Sequence, residues 1–329
     1  MVASNGTDDP VWGSELQGRG ALSAFDMMVG LSMITLGLGA VIVSVLNICA
    51  IKKLSIFHNA FGAFWVSKTV AEIGFNLVSV VVSGPVTALQ PKNIPPSLGI
   101  AAYICEHYFA AVFCVMNQCV SINRLIAICL PLKYNAIFSK KITGAIIILA
   151  WLEVSALMSL YFVLPCSLIG YSPQFYEYVY VRSAECDRET SLMGTFVNRY
   201  CTIFCTNTVI LDFITFYKIM KIRHTNRRAA KEETFRRNVR FFAQTALQNV
   251  SMMGSLITIV LMNNEKRSGT RVLCATFFDA KIVASVVNGL CLIFFNPEVR
   301  KLLGIRLCCA ARHSGNVEPT TSSPPVMNS

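Results

Sequence analysis

Charge is scarce in this chain. Of its 329 residues, 14% are Asp, Glu, Lys or Arg and 54% are hydrophobic, whereas ordinary soluble domains are about 25% charged. A water-soluble surface is not built from that balance. Long polar connections are lacking too. Seven apolar stretches, each of about 24 residues or more, occupy roughly 175 positions, so no loop is long enough to house an independent soluble catalytic domain. Histidine is rare, and His58, His107, His224 and His313 fall in no metal-ligand spacing. No Ser, His and Asp set converges on one depth either, so neither an enzyme nor a cofactor is expected. The first 25 residues lack a basic segment followed by an apolar core. No cleavable signal peptide is read there, and the first apolar stretch is expected to direct insertion.

What is present is a repeated apolar run of membrane-crossing length. The spans read as Met27 to Ile51, Asn59 to Ser83, Leu98 to Leu130, Ile142 to Pro165, Gly194 to Tyr217, Val239 to Met262 and Val272 to Phe295. The runs are continuously apolar rather than alternating, which favours helices over barrel strands. The fold class is therefore an all-α membrane protein, a seven-transmembrane helix bundle. The formal net charge of +11 could suggest nucleic acid. Its basic residues instead gather in alternate loops without interleaved aromatics, so no nucleic-acid partner is expected.

Those loops fix the orientation. Lys52 and Lys53, then Lys133, Lys140 and Lys141, then the run from Lys218 to Arg240, then Arg300, Lys301, Arg306 and Arg312 all fall on one side. The opposite segments mix cations with acids. The N-terminus is thus placed outside and the C-terminus inside, with the lipid bilayer as a partner. Residues 1–26 read as an extracellular N-terminus, 27–295 as the membrane domain, 296–307 as a short amphipathic helix along the inner surface, and 308–329 as a disordered cytoplasmic tail. Asn5-Gly6-Thr7 is a glycosylation acceptor on the outer side. Cys308 and Cys309, just after the amphipathic helix, are candidates for acylation, with free thiols as the alternative. Most of the thirteen cysteines lie within apolar runs and behave as small hydrophobes.

Four motifs in order then carry a resemblance. Span three ends Ser121-Ile122-Asn123-Arg124-Leu125 and runs into Pro131-Leu132-Lys133-Tyr134. This looks like the Asp-Arg-Tyr region of G-protein-coupled receptors, with Asn for Asp and Leu for Tyr. Together with His58-Asn59-Ala60-Phe61-Gly62, Phe241-Phe242-Ala243-Gln244 and Phe295-Asn296-Pro297-Glu298-Val299-Arg300, it resembles the nematode serpentine chemoreceptors of the Srx family. The resemblance implies a plasma-membrane receptor of sensory cells that binds an extracellular small molecule or peptide and activates a heterotrimeric G protein. Two features of rhodopsin-type receptors are missing. Gln244 to Met262 contains no proline, and span seven has Asn288-Gly289-Leu290-Cys291-Leu292 in place of Asn-Pro-x-x-Tyr.

On that reading Arg124 is the coupling residue at the inner mouth, with Asn123, Lys133, Tyr134, Lys221 and Arg236 around it. Asn123 removes the usual ionic restraint on the arginine and predicts raised basal activity. Outside, Cys166 to Cys186 is the favoured disulfide and Cys105 to Cys186 the alternative, since Gly99 stands nearest the position from which rhodopsin-like receptors tether span three. Ionisable groups at membrane depth point to function. Glu106 lies 18 residues, roughly 27 Å, from Arg124 along span three. Glu106, His107, Asp279 and Lys281, with Tyr103, Tyr108 and Phe278, are read as a ligand pocket. A structural Glu106–Lys281 ion pair is the competing reading. Lys68 and Glu72 are expected to neutralise each other within span two, and Asp212 to meet Lys218 or Arg240. Glu153 is read in the same way beside Trp151. The rival functions are a transporter or channel, and an opsin-like light receptor using Lys281 as its Schiff base.

Overall fold

The computed structural model describes residues 12–181, 191–225, 246–247, 249–250, 253–254 and 271–304. Six helices among them are long and apolar enough to cross a membrane. Span one is Ala24–Lys53 and opens with a reciprocal cap. Ser23 accepts from the Asp26 N–H at 3.1 Å, and the Asp26 carboxylate accepts from the Ser23 N–H at 3.0 Å. Lys52 and Lys53 close it, cations where the helix dipole is negative. Span two follows after a tight bend. Asn59 accepts from the Gly62 N–H at 3.1 Å, and a Cβ on Gly62 would lie 1.9 Å from the Phe57 carbonyl oxygen, so only glycine fits.

Span two is α-helical over Ala60–Val78, widens into a π turn over Ser79–Ser83 and resumes over Gly84–Leu89. The proline at 85 has no N–H to give the carbonyl four residues back, which accounts for the loosened turn. Span three, Pro96–Cys129, packs against span two and span five, Leu192–Thr225. Span four, Lys140–Val163, is capped by Ser139. Span seven, Arg271–Phe295, packs on span one, and Asn296 then caps a terminal helix, Pro297–Leu302, by accepting from the Glu298 and Val299 N–H groups. The helices run beyond most of the expected boundaries because hydropathy marks only the apolar part of each. Phe64, Met116, Val120 and Val154 lie at the centre, whereas Ile148, Leu149, Leu152 and Phe213 face outward, an apolar exterior suited to lipid.

The segment joining spans four and five contains an antiparallel hairpin, Ile169–Ser172 with Glu177–Tyr180, in which Tyr171 opposes Tyr178. It lies across one end of the bundle, the hairpin end, and the terminal helix lies at the other. Span six, expected over Val239–Met262, falls largely outside the described residues. Asn249, which is described, is buried inside the bundle. The terminal helix is described over Pro297–Leu302, residues 305–307 of the expected segment lie outside the described residues, and Val299 is buried against the core.

Candidate functional site

Three residues of span three share a face at the hairpin end, Tyr103, Glu106 and His107, as helical spacing of three and four dictates. Glu106 is 1% exposed. One carboxylate oxygen forms an ion pair with Lys281 of span seven, and the other accepts from the Tyr178 hydroxyl of the hairpin. The lysine ammonium stands over the Phe278 ring at 4.0 Å, with the Phe75 and Tyr178 rings at 5.2 and 5.3 Å. The Tyr103 and Tyr161 hydroxyls are 2.8 Å apart. The Tyr178 ring makes edge contacts with Tyr103 at 5.1 Å, His107 at 5.2 Å and Tyr171 at 5.6 Å. Burial, and next the Glu106 charge, hold the Tyr178 phenol well above its ordinary pKa, so it is the hydrogen-bond donor.

A roof covers this cage. Asp26 is fully buried and accepts from Tyr176 and Arg19, and from Gln90 at 3.3 Å. Gln90 also donates to the Pro173 carbonyl at 2.7 Å. Before span one, Gln17 brackets Ile94, donating to its carbonyl at 2.6 Å and accepting from its N–H at 2.8 Å, while Ser172 donates to the Glu15 carbonyl at 2.6 Å. The hairpin lies close on span three. A Cβ on Gly99 would meet the Tyr171 carbonyl oxygen at 3.0 Å. The tether position thus serves close backbone approach. Cys166 is disulfide-bonded, Cys105 is free, and Cys186 lies outside the described residues.

Five of the seven expected pocket residues therefore converge, and two stand elsewhere. Tyr108 turns toward span four, its hydroxyl 3.2 Å from that of Ser155 and its ring 5.8 Å from Trp151. Asp279 turns to span one and accepts from Ser32 at 2.7 Å. Both lie two residues from a cage member, about 200° around the helix. Of the carboxylates deeper in the bundle, Asp212 differs from expectation, while Glu72 and Lys68 lie within each other's field as expected. Asp212 accepts from Asn249, which accepts from Asn117 at 2.6 Å, which in turn accepts from Lys68 at 2.7 Å. Asp212 lies within the field of Arg124 rather than turning to the cationic end of its own helix. Lys68 sits over the Trp65 and Phe113 rings and feels the charge of Glu72, which accepts from Ser44 at 3.4 Å. Glu153 is exposed and accepts from the Tyr200 hydroxyl at 2.8 Å.

At the opposite end, the Asn123 amide donates to the Tyr134 hydroxyl at 3.1 Å, tying the following loop to span three. Phe138 of that loop packs edge-on against Phe64. The Arg124 guanidinium lies over Phe61 at 5.1 Å. Lys133 and Lys221 are exposed. Arg236, Asn5, Cys308 and Cys309 lie outside the described residues.

The family profile described as serpentine type 7TM GPCR chemoreceptor Srx matches residues 34–296, most of the chain. The chain belongs to the Srx family. No curated protein matches it. An Srx chain is a multi-pass G-protein-coupled chemoreceptor and not an enzyme. Two of the Srx-like motifs now have physical roles. Asn59 and Asn296 are helix caps at the same end of the bundle, and Gly62 admits the Phe57 carbonyl. The sequence reading missed the hairpin and the buried Asp26. Alternating aromatics around Pro173-Gln174 signal the first, and the Ser23-x-x-Asp26 spacing before an apolar run signals the second.

Proposed function

We propose that this Srx receptor binds its ligand in the cage around Glu106 and Lys281, with the hairpin end outside the cell, and signals through the end that carries Arg124. The observation that supports this best is a carboxylate and an ammonium from opposite walls of the bundle, closed in by aromatic rings and roofed by a hairpin. Intramembrane charges in such a setting are costly, and they suit a site whose occupant alters the relation between spans three and seven. From Glu106, span three runs through Asn117, tied across to Asn249 and Asp212, down to Arg124. A shift of span three at the cage would reach that network, and release of Arg124 from Phe61 would offer a cation to a G-protein carboxyl terminus. The exposed Lys133 and Lys221 extend that basic surface.

The test is a calcium or cyclic-nucleotide screen of the receptor in sensory-type host cells against chemical panels, with Arg124→Ala and Lys281→Met in parallel. Arg124→Ala should abolish the signal while leaving ligand binding intact, and Lys281→Met should weaken binding itself. A response unchanged in both variants would remove the cage and the arginine from the mechanism. An opsin-like use of Lys281 predicts retinal-dependent visible absorbance in the purified protein, and its absence closes that alternative.

A further inference from the structure

We propose that Tyr178 is a built-in occupant of the ligand site, and that the molecule it stands in for is a small neutral hydroxyaromatic compound. This rests on the cage being the ligand site. Glu106 has two oxygens in use, one held by the Lys281 ammonium and one by the Tyr178 hydroxyl. The carboxylate charge is already matched by one cation. A second cation in place of the phenol would leave a net positive charge in an apolar enclosure, and an anion there would face Glu106 directly; both are disfavoured at low dielectric. A neutral O–H donor is what the place accepts.

The shape of the place agrees. The Tyr178 ring lies among Tyr103, His107, Tyr171 and Phe278, with three of these four edge-on to it. Edge-to-face packing of this kind selects a flat ring. The tether is separately secured. The hairpin is held by Tyr176 on Asp26, by Gln90 on the Pro173 carbonyl and by Ser172 on the Glu15 carbonyl. The Tyr178 hydroxyl donates to Glu106 and also lies in reach of the Ser83 hydroxyl of span two, and neither contact holds the strand itself. A competing phenol can therefore displace this side chain by a rotamer change while the strand that carries it stays in place.

The experiment uses the full-length receptor purified in detergent, with p-cresol, the tyrosine side chain as a free molecule, as probe. Tyr178→Ala should lose thermal stability and regain it with p-cresol in a saturable manner. Toluene, lacking the hydroxyl, and benzylamine, which brings a second cation, should each bind roughly tenfold or more weakly, as expected for loss of a hydrogen bond to a charged group. Adding Glu106→Gln to Tyr178→Ala should lower p-cresol affinity by a similar factor. Equal binding of benzylamine, p-cresol binding indifferent to Glu106→Gln, or no p-cresol binding by a folded Tyr178→Ala protein overturns the proposal. If the alanine variant does not survive purification, Tyr178→Phe, which keeps the ring contacts, is measured in its place. It must bind p-cresol more tightly than the wild type, because its own hydroxyl no longer competes for Glu106, and equal affinity overturns the proposal. These readouts are binding alone, so they fail or succeed independently of whether the receptor couples to a G protein.

Discussion

Tyr176, at the turn of the hairpin, donates its phenol to Asp26 at the head of span one, 150 residues earlier in the chain. That bond joins the roof to the first span, and Arg19 and Gln90 close around the same carboxylate. Asp26→Ala should therefore cost about 1–3 kcal/mol by leaving buried donors unsatisfied, read as a lowered Tm of the purified receptor. Tyr176→Phe should cost less, since Arg19 and Gln90 remain.

The hairpin tyrosines also set an alkaline limit. Burial, first among the causes, raises the pKa of Tyr171, Tyr176 and Tyr178 above the ordinary phenol value of 10.0. A raised pKa means that the folded state keeps a proton the unfolded state has lost. The stabilisation is full below pH 10 and falls as pH climbs from there toward the folded values. Tm measured between pH 8 and 11 should drop less steeply in Tyr176→Phe than in the wild type.

Removing one partner of the Lys281–Glu106 pair should be worse than removing both. Lys281→Met leaves a buried carboxylate with the Tyr178 hydroxyl alone and should cost about 3–5 kcal/mol. Adding Glu106→Gln should restore a large part of the loss. Surface expression and Tm of the two single variants and the double variant form the test, and strict additivity would show that the two side chains act separately.

Asn123 should tune basal signalling. It bonds Tyr134 at 3.1 Å, so the loop after span three is anchored by a neutral amide, while the adjacent Arg124 rests on Phe61. Asn123→Asp puts a carboxylate beside that guanidinium and should lower ligand-free second-messenger output. No decrease would contradict a missing ionic restraint as the reason for the asparagine.

Cysteine chemistry offers a direct check of the roof. Cys105 is free and faces outward from span three, so non-reducing peptide mapping of the denatured, alkylated receptor should find it unpaired and Cys166 linked to Cys186. Cys166→Ser should lower stability by about 2–4 kcal/mol.

Six of the spans were legible because crossing a bilayer needs a long apolar run, and that requirement is written locally. Helical caps are local too, which is why Asn59 and Asn296 stand inside recognisable motifs. The cage was legible in part. Tyr103, Glu106 and His107 announce a shared face by their spacing, whereas Tyr108 and Asp279 sit on other faces of the same helices and could have been set aside by that rule. What sequence spacing does not give is how one helix is rotated against another. For that reason Asp212 meets Asn249 and the field of Arg124 instead of the cations of its own helix end, and Lys68 reaches Asn117. The hairpin escaped notice because its tyrosines find their partners 72 and 150 residues away.

The widened turn at Ser79–Ser83 acts as a phase shift in span two. Everything after it is wound round by the one surplus residue, and that brings Thr87, whose hydroxyl meets that of Tyr171, and Gln90, both fully buried, inward to the hairpin and to Asp26. Deleting a single residue there would turn the rest of the helix by about 100°, swinging those two polar side chains toward lipid. The hairpin cover would come undone while every crossing stayed the right length, so one surplus amino acid holds the shutter in line with its frame.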